Sequence, residues 1–457
     1  MSKSIDMTRG PVVGPLIRFI LPLVGSSIFQ QLYNTVDFLF VGNFLNKTSA
    51  AAVGASATLI TCTIGLFSGI SVGTSVTAAQ AIGAGDRTKA EKALHSSVTF
   101  GLLGGLLLMT LGILFAPALL RLLRTPETVI PQAVTYIRIY LISVPMLIFY
   151  NMVSGGMRAY GDSRSPFLVM VACGLLNVLL DALFIVWIPL GVAGVAIATA
   201  ITQTLSALLV AFLASRKGNV LRLSARKLGI DFPVLGKVLR IGLPTGIQTV
   251  IITFSNVMVQ YYINDFGETA VAAFATYYKV ENFIYLPIMA FGQASTTFAG
   301  QNTGAGQYRR ILRGTVITAL IGAAVVGCLV IVFVSFPRTI VSWFMKDGDV
   351  VTNTLKIALV SFPFYSVYPV LEVTGGALRG MGKAIGSMIV IIANLCVLRI
   401  SLLAVFSATV HTIQSLAAVY PITWAGAAVC FVIFFAIVIR KKLKTEPMGV
   451  DTRNDPL

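Results

Sequence analysis

Four acids lie inside stretches that are otherwise apolar: Asp37, Asp181, Glu281 and Glu372. A charged side chain at the centre of a membrane helix costs about 2.5–3.5 kcal/mol. Each of these acids is therefore expected to face a bundle interior or a wet cavity. Asp37 closes the stretch QQLYNTVD, in which Gln30, Asn34 and Asp37 follow i, i+4, i+7 spacing and share one helix face. Asn177 and Asp181 share a face of a later helix at i, i+4. Two carboxyls bridged by amides can share a proton, because like charges at short range do not both ionise. A site loaded with a proton from one side and emptied to the other is what a proton-coupled carrier requires. The competing reading is a neutral hydrogen-bonded pair that locks two helices together.

A second charged set comprises Lys279, Glu281, Glu372 and Arg399. It could form a site for a cationic substrate or a network of neutralised pairs, since buried charges persist when paired. Glu372, preceded by Phe364, Tyr365 and Tyr368, is the better candidate for meeting a cationic compound. Tyr33, Met146, Phe149, Tyr150, Tyr277, Tyr278, Tyr285, Met289 and Tyr368 add aromatic and thioether surface suited to flat organic cations. With 28 phenylalanines in the chain, any one of these reads first as helix packing. Together they make a polyspecific cavity plausible. Two histidines, His95 and His411, stand apart from other ligands, and the five cysteines have no ligand spacing, so a resident metal and metal-enzyme chemistry are not expected. Neither Gly-rich loop, GAGD at 83–86 or GAGQ at 304–307, is followed by a Walker lysine, so nucleotide hydrolysis and a bound cofactor are not expected either.

The elements that must position these residues are membrane helices. Of 457 residues, 56% are hydrophobic and 11% charged, with mean hydropathy +0.87, against nearly 25% charge in an ordinary soluble domain. Residues 48–85, 93–120, 182–215, 241–264, 314–337 and 400–439 contain no Lys, Arg, Asp or Glu. A span needs roughly 20 apolar residues. Splitting the long runs at Gly, Pro and polar clusters predicts twelve spans: 16–44, 51–82, 93–119, 129–157, 164–187, 190–215, 237–264, 270–302, 309–336, 351–378, 384–408 and 416–439. The pattern is stated twice. PLIRFILP (15–22) returns as KVLRIGLP (237–244), RIYLISVP (138–145) as KIALVSFP (356–363), and GGMRAYG (155–161) as GALRGMG (376–382). The fold class expected is an all-α polytopic membrane protein of two pseudo-symmetric six-helix lobes, the usual construction of a secondary transporter. The symmetry breaks at the first acid, whose repeat mate is Val259.

The net charge of +17 could suggest nucleic acid, but its placement argues for a membrane. With both termini cytoplasmic, 25 of the 34 cations fall on the inner side and only 7 on the outer. The domains expected are an N-lobe over 1–215, a basic cytoplasmic linker over 216–236, a C-lobe over 237–442 and a polar tail over 443–457. Lipids are the expected macroscopic surroundings, and the chain is expected to act as a monomer.

The twofold six-helix repeat, the QQLYNTVDFLFVG helix, the GAGD loop and the GGMRAYGDSRSP loop resemble the multidrug and toxic compound extrusion (MATE) family over roughly residues 10–440, nearest its bacterial DinF-like branch. That resemblance implies a transporter of the bacterial inner membrane, not an enzyme, which exports cationic or amphipathic compounds against a proton or sodium gradient by alternating access. It implies an N-lobe cation site at Asp37, Asn177 and Asp181, where sodium is the alternative ion, and a bend in the first helix at Pro22. Protons are the expected coupling ion, because the seventh-helix acid of similar sodium-driven proteins is missing from IGLPTGIQTVIITFSNVMVQYY (241–262). Glu372 lies about one turn closer to the Arg379 loop than the acid of that pattern. A flippase for lipid-linked precursors, from the same superfamily, is the remaining alternative; it would line its cavity with cations rather than acids.

Overall fold

The computed structural model describes residues 4–122, 125–216 and 221–444, without the side chains of Asn34, Phe38, Leu39, Asn43, Lys47, residues 57–59, Cys62 and Thr63. The tail from 445 onward, Lys3, Arg124 and Lys217 lie outside the described residues, as does the side chain of the candidate Asn34. Among the described residues there is no β-strand. The first half holds α1 Val13–Phe44, α2 Lys47–Gly83, α3 Arg87–Leu122, α4 Ile130–Ala159, α5 Arg164–Ala182 and α6 Val192–Ser215. The second holds α7 Phe232–Asn264, α8 Glu268–Gly304, α9 Tyr308–Ser335, α10 Pro337–Ser342, α11 Gly348–Ser361, α12 Tyr368–Gly380, α13 Ala384–Ile392, α14 Arg399–Thr409 and α15 Ile413–Leu443.

Among the described residues, ten helical stretches are long and apolar enough to cross a membrane. The other two predicted spans, over α2 and α8, are helices of 37 residues each, diluted by Ser, Thr, Gly and Gln. Predicted span 351–378 is interrupted. α11 gives way to a 3₁₀ turn at Phe362–Val367, where Pro363 has no N–H to continue the α ladder. Predicted spans 164–187 and 384–408 each contain a π-helical turn, at Leu183–Trp187 and Ala393–Leu398. The duplicated loops end their helices on left-handed glycines: Gly85 (φ +77°) and Gly306 (φ +73°), then Gly161 (φ +87°) and Gly382 (φ +78°). An L-residue there would be strained, which accounts for the glycines without any phosphate.

The chain divides into two compact units: Met1–Asp6 with Gly25–Gly246, and Met7–Val24 with Ile247–Leu457. α1 passes from the second unit to the first two residues after Pro22, and α7 makes the reverse passage two residues after Pro244. The first unit packs Phe67, Ile70, Leu94, Val98, Ile148 and Met152 at its centre. There α2 meets α7 through glycines; a Cβ on Gly242 would lie 2.6 Å from the Ile70 Cα. The second unit is centred on Phe274, Tyr277, Phe362, Tyr365, Trp424 and Phe431.

The basic linker is docked rather than loose over its described part. The backbone N–H of Ser224 donates to His95 Nε2 at 3.1 Å, which leaves Nδ1 to donate to the Glu91 carbonyl at 2.7 Å. Lys227 pairs with Glu91 at 2.6 Å and Asp231 with Lys92 at 3.0 Å. Lys92 and the Val234 amide hold the Asp231 carboxyl below the usual carboxylate range.

Candidate functional site

In the first unit, α1 and α5 bring the sequence-predicted polar residues together. Asp37 is half-buried on α1, while Asn177 and Asp181 on α5 are buried, Asp181 completely. With its amide nitrogen turned toward α1, Asn177 donates to both Asp37 carboxyl oxygens at 3.2 and 3.3 Å. Neither Asp181 oxygen finds an N–H or hydroxyl donor among the described residues; the group facing them is the Asp37 carboxyl. Two carboxyls can hydrogen-bond to each other only when one carries a proton. The π turn begins two residues after Asp181, where the α ladder is already interrupted.

Of the other candidates, Tyr33 comes nearest this pair. Gln30, exposed on α1, hydrogen-bonds Tyr33, which lies within electrostatic reach of Asp37, Tyr140 and Tyr150. The Tyr150 hydroxyl donates to the Pro166 carbonyl at 3.3 Å, and Met146 is half-buried one turn earlier on α4. Pro22 lies within the continuous α1, fifteen residues before Asp37. Four partners escaped the sequence reading. Tyr136 lies within electrostatic reach of both acids and stacks on Tyr140 at 6.2 Å. The Tyr140 hydroxyl accepts from Gln203 Nε2 at 3.2 Å, and Gln203 Oε1 accepts from Ser143 at 2.6 Å. Their only sequence signal was the i, i+4 tyrosine spacing in TYIRIY.

The second unit sorts the other charges into separate places. Glu281 accepts a hydrogen bond from the Tyr365 hydroxyl and lies within electrostatic reach of Arg399. The Arg399 guanidinium sits 5.1 Å over the Tyr420 ring and donates to Asn256 at 3.4 Å. Glu372 forms an ion pair with Arg379 of its own helix at 2.5 Å, both side chains being about one-tenth exposed. Lys279 is exposed and joins neither pair. The predicted four-member charged set is thus a Glu281–Arg399 neighbourhood, a Glu372–Arg379 pair and a lone surface lysine among the described residues. The predicted tyrosines do converge. Tyr277 accepts from Ser361 at 2.9 Å, the Tyr278 and Tyr420 hydroxyls are 2.8 Å apart, and Tyr368 meets Tyr285 and Trp424 edge-on. Met289 packs, partly buried, against the hydrophobic core of this unit.

Comparison with known proteins gives a consistent answer. The family model described as MatE matches residues 22–183 and again 244–405, the two copies of the repeat. The chain is 30% identical over 417 residues to the Probable multidrug resistance protein YpnP of Bacillus subtilis (strain 168), covering 89% of this chain and 91% of that protein. It is 25% identical over 431 residues to a protein named FAD transporter from Shewanella oneidensis, covering 93% and 94%. The solved structure titled "Outward-facing conformation of a multidrug resistance MATE family transporter of the MOP superfamily" superposes with a TM-score of 0.92 at 22% identity, covering 97% of this chain and 99% of that one.

Proposed function

The chain belongs to the MatE family of membrane transporters, and on that premise we propose that it exports cationic and amphipathic organic compounds in exchange for protons carried by the Asp37–Asp181 pair. One observation carries this reading: a wholly buried Asp181 whose two oxygens, among the described residues, face another carboxyl and no N–H or hydroxyl donor, that carboxyl being held by Asn177. A proton is the smallest species that satisfies both acids, and its release would leave two like charges in contact. The cycle would therefore alternate between a protonated, closed site and a deprotonated one that repels itself open. Substrate would meet the tyrosine-rich surfaces around Tyr33 and Tyr150 in the first unit and around Glu281, Tyr278 and Tyr368 in the second. The membrane proposed is the bacterial cytoplasmic membrane, with both termini inside, on the strength of the cation bias.

The test is purified protein in sealed liposomes loaded with a fluorescent cation. Dye movement after an imposed pH jump in sodium-free buffer is the expected result. Movement only after a sodium jump would overturn proton coupling and reassign the bare oxygens of Asp181 to a sodium ion. A second substrate reading rests on the relative named FAD transporter and on Arg399 lying over Tyr420: a flat anionic cargo with Arg399 as its counter-charge. Export of flavin nucleotide in the same liposomes, without movement of cations, would favour it.

A further inference from the structure

On the surface of the first unit, α2, α3 and α4 enclose an apolar groove of about 270 Å³, walled by Leu108, Leu111, Gly112, Phe115, Ile137 and Leu141. Gly112 draws the helices together here, since a Cβ on it would lie 2.6 Å from Leu141 Cδ1. The volume is below the range of about 300–1,000 Å³ that drug-sized ligands occupy. It suits one alkyl chain. Leu111 and Phe115 remain exposed along its mouth, as expected of a surface solvated by lipid rather than by water.

One cation stands at its edge. Pro117 has no N–H, so the Ile113 carbonyl four residues earlier lacks its α-helical partner. Arg138, next to the wall residue Ile137, donates its Nε to that carbonyl at 3.3 Å. This bond fixes the guanidinium beside the groove and uses only one of its three nitrogens. The side chain is exposed, so the two Nη groups point a fork of donors at the surroundings. Arg121, on the adjoining end of α3, is already paired with Glu127 at 3.4 Å. An anchored guanidinium matches a phosphate bidentately. An apolar slot beside a phosphate-seeking fork has the chemistry of a phospholipid site.

We propose that this groove and Arg138 hold one anionic glycerophospholipid, its acyl chain between α3 and α4 and its phosphate on the guanidinium. On the orientation proposed above, which this inference uses only to name the leaflet, the lipid belongs to the outer one. The site is separate from the Asp37–Asp181 pair and does not depend on which ion couples transport.

The experiment uses the full-length protein, stripped of lipid in detergent and then offered phosphatidylglycerol or phosphatidylcholine at equal concentration. Native mass spectrometry counts the lipid retained. A phosphatidylglycerol with a diazirine in its acyl chain then maps the contact by photolabelling. The expected result is one phosphatidylglycerol kept in preference, with adducts concentrated within 108–119 and 137–141. Retention should fall about fivefold in Arg138→Gln, the worth of one surface cation toward an anionic lipid. It should fall comparably in Leu111→Trp, which fills the groove and leaves the guanidinium in place. Should Arg138→Gln not fold, Leu111→Trp decides. Adducts spread evenly over the lipid-facing helices, equal retention of the two lipids, or labelling that survives Leu111→Trp would each overturn the proposal. So would displacement of the label by a transported dye but not by unlabelled phosphatidylglycerol, which would make the groove a substrate site.

Discussion

At the scale of single residues, the paired acids of the first unit, Asp37 and Asp181, should behave as one titrating group. Asp37→Asn should abolish dye export while leaving membrane abundance near normal, because an amide keeps the size but cannot carry the proton. Asp181→Asn should do the same, and the double variant should be little worse than either, since residues sharing one proton are strongly non-additive. Export rates from the three variants decide the matter; independent, multiplicative losses would assign the acids to separate sites. Glu372 calls for a different expectation. Its partner Arg379 is buried with it, and removing one member of such a pair costs about 3–5 kcal/mol by leaving a charge unmatched. Glu372→Gln should therefore lower the melting temperature in detergent, and pairing Glu372→Met with Arg379→Met should restore much of it. Normal melting with a loss confined to cationic substrates would return Glu372 to the substrate site that its neighbours in sequence suggested.

Among the elements, α1 and the linker carry the testable consequences. Pro22 leaves the Arg18 carbonyl without its helical donor, which makes the turn ahead of Gly25 the easiest place for α1 to bend. Pro22→Ala supplies the missing bond. Export at a fixed gradient should slow severalfold with unchanged abundance, and an unaltered rate would show that the bend is not part of the cycle. The linker depends on a histidine in one tautomer. His95 Nε2 accepts from the Ser224 N–H, so removing that acceptor should loosen the linker. Hydrogen exchange over residues 221–231 should quicken in His95→Ala and stay near wild type in His95→Gln, whose amide oxygen can still accept from Ser224. Unchanged exchange in His95→Ala would remove His95 from the account. Because the Asp231 carboxyl is held below the usual range, its stabilisation is complete above an ordinary aspartate value of about 3.9 and is lost only as pH falls further.

For the whole molecule, the decisive expectation concerns topology. If all twelve predicted spans cross, their even number returns the chain to the side from which it started, and on the proposed topology that side is the cytoplasm, where the excess of cations would fall. Fluorescent-protein fusions at either terminus should therefore fluoresce in cells, whereas a periplasm-dependent phosphatase fused after Lys444 should be silent. An active phosphatase fusion would mean an odd number of crossings. The candidates for dropping out are then α2 and α8, the two long helices whose composition is least apolar.

Much of this protein was legible in one dimension. Helix period, charge-free runs and a repeat spaced by about 220 residues are properties of the string, and they sufficed for a duplicated bundle of membrane helices. The high cost of a buried charge drew attention to four acids, Asp37, Asp181, Glu281 and Glu372, from the string alone. What the string did not contain is the rotation of each helix about its own axis. That rotation decides which neighbour a side chain meets. It brought Tyr136, Tyr140 and Gln203 to the first-unit site, gave Glu372 to Arg379, and set Tyr365 against Glu281. The breaks at Phe362–Val367 and Ala393–Leu398 likewise depend on packing against neighbours as much as on local composition. Periodicity fixes a face on each helix; only the tertiary structure decides what that face looks at, because the choice is made by contacts between segments far apart in the chain.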